Sequence, residues 1–292
     1  MRVRVSPLAH MFNLLHTFNP QPLVFSYGVF HIYWYGLFMV LSMIAALITT
    51  LILARRYQIS KDTIIDLAFW LIIGGLIGAR VYDCFLNFNY YLGHPLDILK
   101  IWQGGLAIHG AIIGGLITLI IYTKRNWLEF WKLVALVIPG LALAQAMGRW
   151  GNYFNQELYG LPTSLPWGIP IDILHRSNEH ISNLYFHPTF LYESLGSFII
   201  FGVLISLTAR ATKTGRLNLK NYLRLAAVYF ILYSILRFML EFIRLDATPQ
   251  LFGLRWPQII SLLIILFSGI LLKLSYQYAQ NNSQPTEPAN KE

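Results

Sequence analysis

Seven windows of about 20 mainly apolar residues, the length a helix needs to cross a bilayer, run along this chain: residues 29–53, 64–86, 104–122, 130–148, 188–208, 223–242 and 256–274. Over 292 residues, 56% of the side chains are hydrophobic and only 12% are charged. With a mean hydropathy of +0.53, that composition lies outside the soluble globular range. The expected fold is therefore an all-α integral membrane protein with seven transmembrane helices. The segment of residues 1–16 contains arginines but no continuous apolar core ending in small residues, so it does not read as a cleaved signal peptide. Cys84 is the single cysteine, which excludes an internal disulfide and gives no support to a metal site.

The formal charge of +9 raises the question of nucleic acid, but its distribution favours a membrane. The connections after spans one, three, five and seven hold thirteen Lys and Arg, from Arg55 and Arg56 to Lys273 and Lys291, against six on the other side, Arg2 and Arg4 among them. By the positive-inside rule the N-terminus lies outside and the C-terminus in the cytoplasm. The chain is expected to be a single polytopic membrane domain over residues 1–278, with a small extracytoplasmic head inserted at about 155–187. Residues 87–103 read as an amphipathic arm on the membrane surface, and residues 279–292 as a disordered cytoplasmic tail.

Polar residues in apolar spans are the informative exceptions, because an intramembrane charge is expensive unless it is paired or lines a wet cavity. Tyr35 stands near the start of span one, in an aromatic cluster that also suits a headgroup-level belt. Arg80 stands near the end of span two, where Gly74, Gly75 and Gly78 allow close helix approach. His109 is about five residues into span three, about 7.5 Å deep at 1.5 Å per residue. Arg149, Asn152, Asn155, Glu157 and Gly160 follow span four, Glu193 opens span five, and Arg237 and Glu241 share a helix face near the end of span six. With alternating spans all of these fall on the outer side. Arginine offers bidentate donors matched to phosphate and stays charged when partly desolvated, so the set suits a phospholipid headgroup. The alternative is an ion-pair network that only holds helices together; more arginines than nearby acids argue against it. A carrier should instead place its site near the midplane, with broken spans.

The chain has no Gly-x-Ser-x-Gly elbow, no His-Glu-x-x-His motif and no cysteine dyad. A covalent acyl-enzyme and a zinc hydrolase are thereby disfavoured, leaving positioning, one general base and electrostatic stabilisation of a phosphate leaving group.

The run Gly-Arg-x-Gly-Asn-x-x-Asn-x-Glu-x-x-Gly from Gly148 to Gly160 resembles the signature of bacterial prolipoprotein diacylglyceryl transferases. So do Trp-Tyr-Gly at Tyr35, Gly-Gly-x-x-x-His-Gly ending at His109 and Gly110, His-Pro-x-x-Leu-Tyr-Glu ending at Glu193, and Arg237-x-x-x-Glu241. Ala111 departs from the pattern, where the family commonly has a second glycine. The resemblance implies transfer of the diacylglyceryl group of phosphatidylglycerol to the lipobox cysteine thiol of a preprolipoprotein, with glycerol 1-phosphate released and a thioether formed. It implies a multi-pass enzyme of the bacterial inner membrane whose site faces the extracytoplasmic side. No cofactor and no nucleic acid partner are expected. On this assignment Arg149 and Arg237 hold the phosphate and His109 takes the thiol proton, with Glu241 or Glu193 as competitor. Asn152, Asn155, Gly160 and Tyr35 shape the headgroup pocket with Arg80 as a third cation, and Glu157 and Glu241 orient arginines.

Overall fold

A computed structural model describes residues 15–28 and 30–281. Arg2, Arg4 and Lys291 of the charge argument, most of residues 1–16 and residues 282–292 of the expected tail lie outside them; residues 279–281 form the end of the last helix. The order is β1 (Leu23–Tyr27), β2 (Phe30–Tyr33), α1 (Trp34–Ala54), α2 (Lys61–Leu86), α3 (Phe88–Gly93), α4 (Ile108–Arg125), α5 (Phe130–Phe154), β3 (Ile169–Pro170), β4 (Tyr185–Phe186), α6 (Thr189–Lys213), α7 (Leu219–Leu240), β5 (Gln250–Leu251), β6 (Leu254–Arg255) and α8 (Trp256–Asn281). Among the described residues, six helices are long and apolar enough to cross a membrane: α1, α2, α5, α6, α7 and α8. The protein is a mostly helical, multi-pass membrane protein. α4 is 18 residues long and ends on Lys124 and Arg125, so its apolar stretch is shorter than the other spans.

Two expected spans begin later than their hydropathy suggests. The first loses residues 30–33 to a hairpin, where Phe30–Tyr33 pairs antiparallel with Leu23–Tyr27 after Gly28 at φ +57°; aromatic and β-branched side chains suit such a ribbon. The third loses residues 104–107, because Gly104 and Gly105 adopt φ of +94° and +71°, which glycine reaches without strain. His109 is thus the second residue of its helix, not a residue five deep. Elsewhere local chemistry fixes the helix starts. The Ser60 hydroxyl accepts from the Thr63 amide at 3.1 Å and Asp62 occupies the first turn of α2, both favourable at a positive helix end.

The chain divides into two compact units, one of residues 47–137 and one of residues 1–46 and 138–292. In the first, α2 and α4 form the most extensive helix pair. Gly78 meets the backbone of Gly110 and Gly114, and Gly74 meets Gly114 and Thr118, so closely that a Cβ would collide. Two small-xxx-small patterns thus face each other, as membrane helices use where apolar burial drives little. Residues 87–103 form α3 and two short 3-10 turns; Phe88, Leu92, Leu96, Leu99 and Trp102 are exposed while Tyr91 turns inward.

In the second unit α7 packs against both α6 and α8. Residues 155–187 fold over the ends of α5 and α6 around Ile169, Ile171 and Phe186, which share a core with Leu15, Tyr153, Phe190 and Leu191. The ribbon β3–β4 is widened by a bridge from Pro162 to Phe186. Gln156 ties this region to the preceding chain: its amide donates to Pro20 O at 2.9 Å and its carbonyl accepts from the Asp172 amide at 2.5 Å.

Candidate functional site

Three segments distant in sequence are stitched together at the end of the signature run. The Gly160 amide donates to His187 O at 3.0 Å, the Leu161 amide to Ile243 O at 2.7 Å, and the His187 amide to Leu161 O at 3.0 Å. Gly160 bridges Arg244, and a Cβ there would fall within 2.9 Å of Ile243, His187 and Thr189. Only a glycine permits this approach. Gln156 and Leu158 hold φ of 52° and 54°, a left-handed backbone that non-glycine residues rarely adopt. The stitching brings the end of α5, the start of α6 and the segment after α7 to one place.

The charged side chains gathered there form a continuous alternating series. Arg149 Nη2 lies 2.5 Å from Glu193 Oε1, and Glu193 Oε2 lies 3.6 Å from Arg244 Nη1. Arg244 Nε lies 2.7 Å from Asp246 Oδ1, and Asp246 Oδ2 lies 4.0 Å from Arg255 Nη2. Arg255 Nε lies 3.1 Å from Glu241 Oε1, whose Oε2 meets Arg237 Nη2 at 2.9 Å. Four arginines alternate with three carboxylates, so the series carries one positive charge, and both of its ends are arginines. Glu193 and Glu241 are almost wholly buried, 2% and 0% exposed at the side chain, whereas the terminal Arg149 and Arg237 retain 23% and 19%. Glu193 Oε1 and both carboxylate oxygens of Glu241 are buried and make no hydrogen bond although each faces an arginine. Arg237 Nη1 is buried with no partner. Such an orphan guanidinium donor calls for an acceptor.

Neighbouring groups close round the two ends. The Tyr233 hydroxyl is within hydrogen-bonding reach of Arg149 and interacts electrostatically with Glu193 and Arg237. Arg149 Nη1 donates to Asn152 Oδ1 at 3.4 Å, and Asn152 Nδ2 donates to Glu157 Oε1 at 2.7 Å. Tyr35, the second residue of α1, lies close enough to Glu157 and Arg149 to feel both charges; its ring covers Gly151, where a Cβ would come within 3.0 Å of it. Trp34 stacks on Phe154 at 4.6 Å, so it is committed to protein packing rather than to a simple aromatic belt. The Asn155 amide closes a turn on Gly151 O at 3.1 Å, and the residue remains half-buried. At the rim, burial alone would raise the Asp246 carboxyl, but Arg244, Arg255 and Arg237 hold it below the usual carboxylate range. Burial pushes the His187 imidazole down.

Arg80 and His109 belong to the other unit. All five N–H donors of Arg80, the full capacity of a guanidinium, go to backbone carbonyls: Nε to Ile98 at 2.9 Å, Nη1 to Gly104 and Gly105 at 2.8 and 2.9 Å, and Nη2 to Asp97 and to Lys100 at 3.4 Å. It also meets Asp83 at 3.8 Å and lies over the Tyr91 ring. It has no donor left for a headgroup and instead shapes the glycine turn ahead of His109. The His109 ring lies 6.0 Å from that of Tyr82.

Arg244 and Arg255 are two of the six cations counted on the other side of the charge asymmetry and were not singled out as site residues. For Arg244 a signal existed: Arg237, Glu241 and Arg244 recur at i, i+4 and i+7, one face of a helix. Arg255 is found only through the fold, since it enters from a two-residue ribbon before α8. Arg149 and Arg237 each have one carboxylate, Glu193 and Glu241, and the expected excess of arginines over acids appears only when the series is followed from end to end.

Residues 22–274 match the family model described as prolipoprotein diacylglyceryl transferase. A phosphatidylglycerol–prolipoprotein diacylglyceryl transferase of Nostoc sp. is 41% identical over 269 residues, covering 92% of this chain and 90% of the relative. One from Synechococcus elongatus is 40% identical over 267 residues, 91% of each. One from Finegoldia magna is 38% identical over 246 residues, covering 84% of this chain and 92% of the relative.

Proposed function

The chain belongs to the prolipoprotein diacylglyceryl transferase family and is an enzyme that transfers a diacylglyceryl group, and from that premise we propose how its charged series serves the reaction. The donor is phosphatidylglycerol and the acceptor is the lipobox cysteine thiol of a preprolipoprotein. The thiol loses its proton and its sulfur attacks the glyceryl carbon bonded to the phosphate oxygen. The carbon–sulfur bond forms as the carbon–oxygen bond breaks, and the electron pair leaves with glycerol 1-phosphate.

The observation that carries this is the one surplus positive charge between two arginine ends. A phosphodiester bears one negative charge, so seated between Arg149 and Arg237 it completes the alternation, with Arg237 Nη1 gaining the acceptor it lacks. As the bond breaks the phosphate becomes a monoester and gains negative charge. Donors already fixed by Glu193 and Glu241 then stabilise the transition state more than the ground state, which is what accelerates a reaction. Asn152 and Glu157 support Arg149, Asn155, Gly160 and Tyr35 bound the headgroup space, and the His109 imidazole, which offers a ring-nitrogen lone pair, accepts the thiol proton. Full transfer by His109→Gln would remove that assignment in favour of Glu193 or Glu241.

The membrane arrangement is part of the same proposal. α4 serves as the seventh span, and in the bacterial inner membrane the N-terminus lies outside and the site faces the extracytoplasmic side, an orientation that the thirteen-to-six charge asymmetry supports. Residues 1–278 act as one polytopic domain with the head at 155–187, and the exposed apolar residues of 87–103 rest on the membrane surface. The experiment is incubation of the purified protein in phosphatidylglycerol vesicles with a lipobox peptide. A mass gain of one diacylglyceryl unit is expected; an anionic-lipid carrier with the same arginines would bind the lipid and leave the peptide mass unchanged.

A further inference from the structure

Below the charged series, on the two helices that supply Glu193 and Arg237, are polar groups the reaction does not use. Ser197 follows Glu193 by one turn of α6, and Ser234 precedes Arg237 by one turn of α7, so each shares a face with its charged neighbour. Gly196 has no room for a Cβ because Leu236 lies against it, which fixes these turns of α6 and α7 at one level. Ser197 is 0% and Ser234 1% exposed, and neither hydroxyl has a hydrogen-bond partner. A helical serine ordinarily returns its hydroxyl to a carbonyl one turn back, as Ser206 does to Gly202 and Ser268 to Ile264, at 2.8 and 2.7 Å. A third α6 serine, Ser194, gives its hydroxyl to Ala146 O at 2.8 Å. Ser197 and Ser234 do neither. Two orphan hydroxyls beside an orphan guanidinium N–H concentrate unmet hydrogen bonding in one or two helical turns, and each unmet buried group is a penalty that a ligand would relieve.

Resting on the proposed reaction, we propose that Ser197 and Ser234 form a polyol subsite that receives the free hydroxyls of the glycerol headgroup and so selects phosphatidylglycerol among anionic phospholipids. The arginines can only donate and are satisfied by any phosphodiester. A serine hydroxyl both donates and accepts, which is what a hydroxylated headgroup needs and a bare alkyl headgroup cannot use. The pair therefore supplies discrimination where the charged series supplies affinity.

The test compares phosphatidylglycerol with phosphatidylpropanol, which carries the same phosphodiester charge and no headgroup hydroxyl, as donors to a lipobox peptide in vesicles. The wild-type protein should prefer phosphatidylglycerol by on the order of 10- to 100-fold, since a site built around a hydroxyl penalises its absence. In Ser197→Ala, Ser234→Ala and the double variant the ratio of the two rates should fall stepwise toward one. Ser194→Ala, whose hydroxyl already has a partner, should keep the wild-type ratio and serves as the control for general damage to α6. A wild-type ratio near one overturns the subsite while leaving the transferase reading intact, and transfer from neither lipid overturns that reading itself. Variants that lose both rates in proportion also overturn the subsite, because the serines would then be structural. If the double variant does not fold, the two single variants decide by the same ratio.

Discussion

Arg80 and Arg237 occupy equivalent places in their helices: each lies near the end of an apolar segment, with an acid three or four residues on, Asp83 in one case and Glu241 in the other. What distinguishes them is where their donors go. Arg80 spends all five on carbonyls of residues 97–105, a stretch of two short 3-10 turns ending in the positive-φ Gly104 and Gly105 that no regular ladder would satisfy. Arg237 meets a carboxylate with one arm and leaves the other without a partner. An arginine in a membrane protein is therefore read by counting its hydrogen bonds: a filled guanidinium is a staple, and an unfilled one awaits a ligand.

The largest effect follows from the unfilled one. Arg237→Ala should lower the transfer rate by about 10³-fold, the upper range for one donor at a developing oxyanion. The thermal midpoint in detergent should shift little, because Glu241 keeps Arg255 at 3.1 Å. Arg80→Ala should show the reverse. It strands several carbonyls around Gly104 and Gly105, and at about 1–3 kcal/mol for each buried polar group left unmet stability should fall by about 3 kcal/mol or more. The Michaelis constant for phosphatidylglycerol in the folded fraction should be unchanged. A rate loss in Arg80→Ala at an unchanged midpoint would erase the distinction. A smaller change in the kinetics should follow Arg255→Met, which removes the surplus cation from the series without touching either end; because it also strands the carbonyls of Glu241, Arg244 and Asp246, the constants are read in the folded fraction. We expect about a 10-fold rise in the Michaelis constant for phosphatidylglycerol, one cation in a shared field being worth about 1.4 kcal/mol or less, with the maximal rate reduced less. Equal losses in both constants would mean that Arg255 acts on the chemical step.

The sequence disclosed the ends of the series but not its middle, and the reason is physical. Arg149, Glu193, Arg237 and Glu241 stand out because a charge inside or at the edge of an apolar span demands an explanation. Arg244, Asp246 and Arg255 lie in a polar connection where charges are ordinary, and only the bridge from Gly160 to Arg244 and the ribbon before α8 bring them to the charges at the helix ends. Span starts were misread for a related reason. Hydropathy averages over a window and does not register that Gly104 and Gly105 sit at positive φ, or that residues 30–33 pair as a strand with residues 23–27. That the α2 glycines allow close approach was legible, since small residues four apart announce it, but that the partner is α4 came only from the fold. Ser197 and Ser234 were invisible, because a serine in an apolar helix is unremarkable until its hydroxyl is found without a partner.

The mildest test concerns the solvent-side link of the series. Arg244, Arg255 and Arg237 hold the Asp246 carboxyl below its usual range, against the upward push of burial. A carboxyl depressed by folding adds stability that is fully present above its unfolded pKa, about 3.9, and that disappears as pH falls through the lower folded value. Asp246 is partly open to solvent, 26% exposed at the side chain, so screening limits the increment to about 1 kcal/mol or less. Asp246→Asn should therefore melt slightly below wild type at neutral pH, and the gap should narrow as the pH drops below about 4. The hydrogen bonds of Arg80, by contrast, all go to backbone carbonyls. A gap of constant size down to the acid limit would mean that Asp246 acts through shape or packing and not through its charge on Arg244.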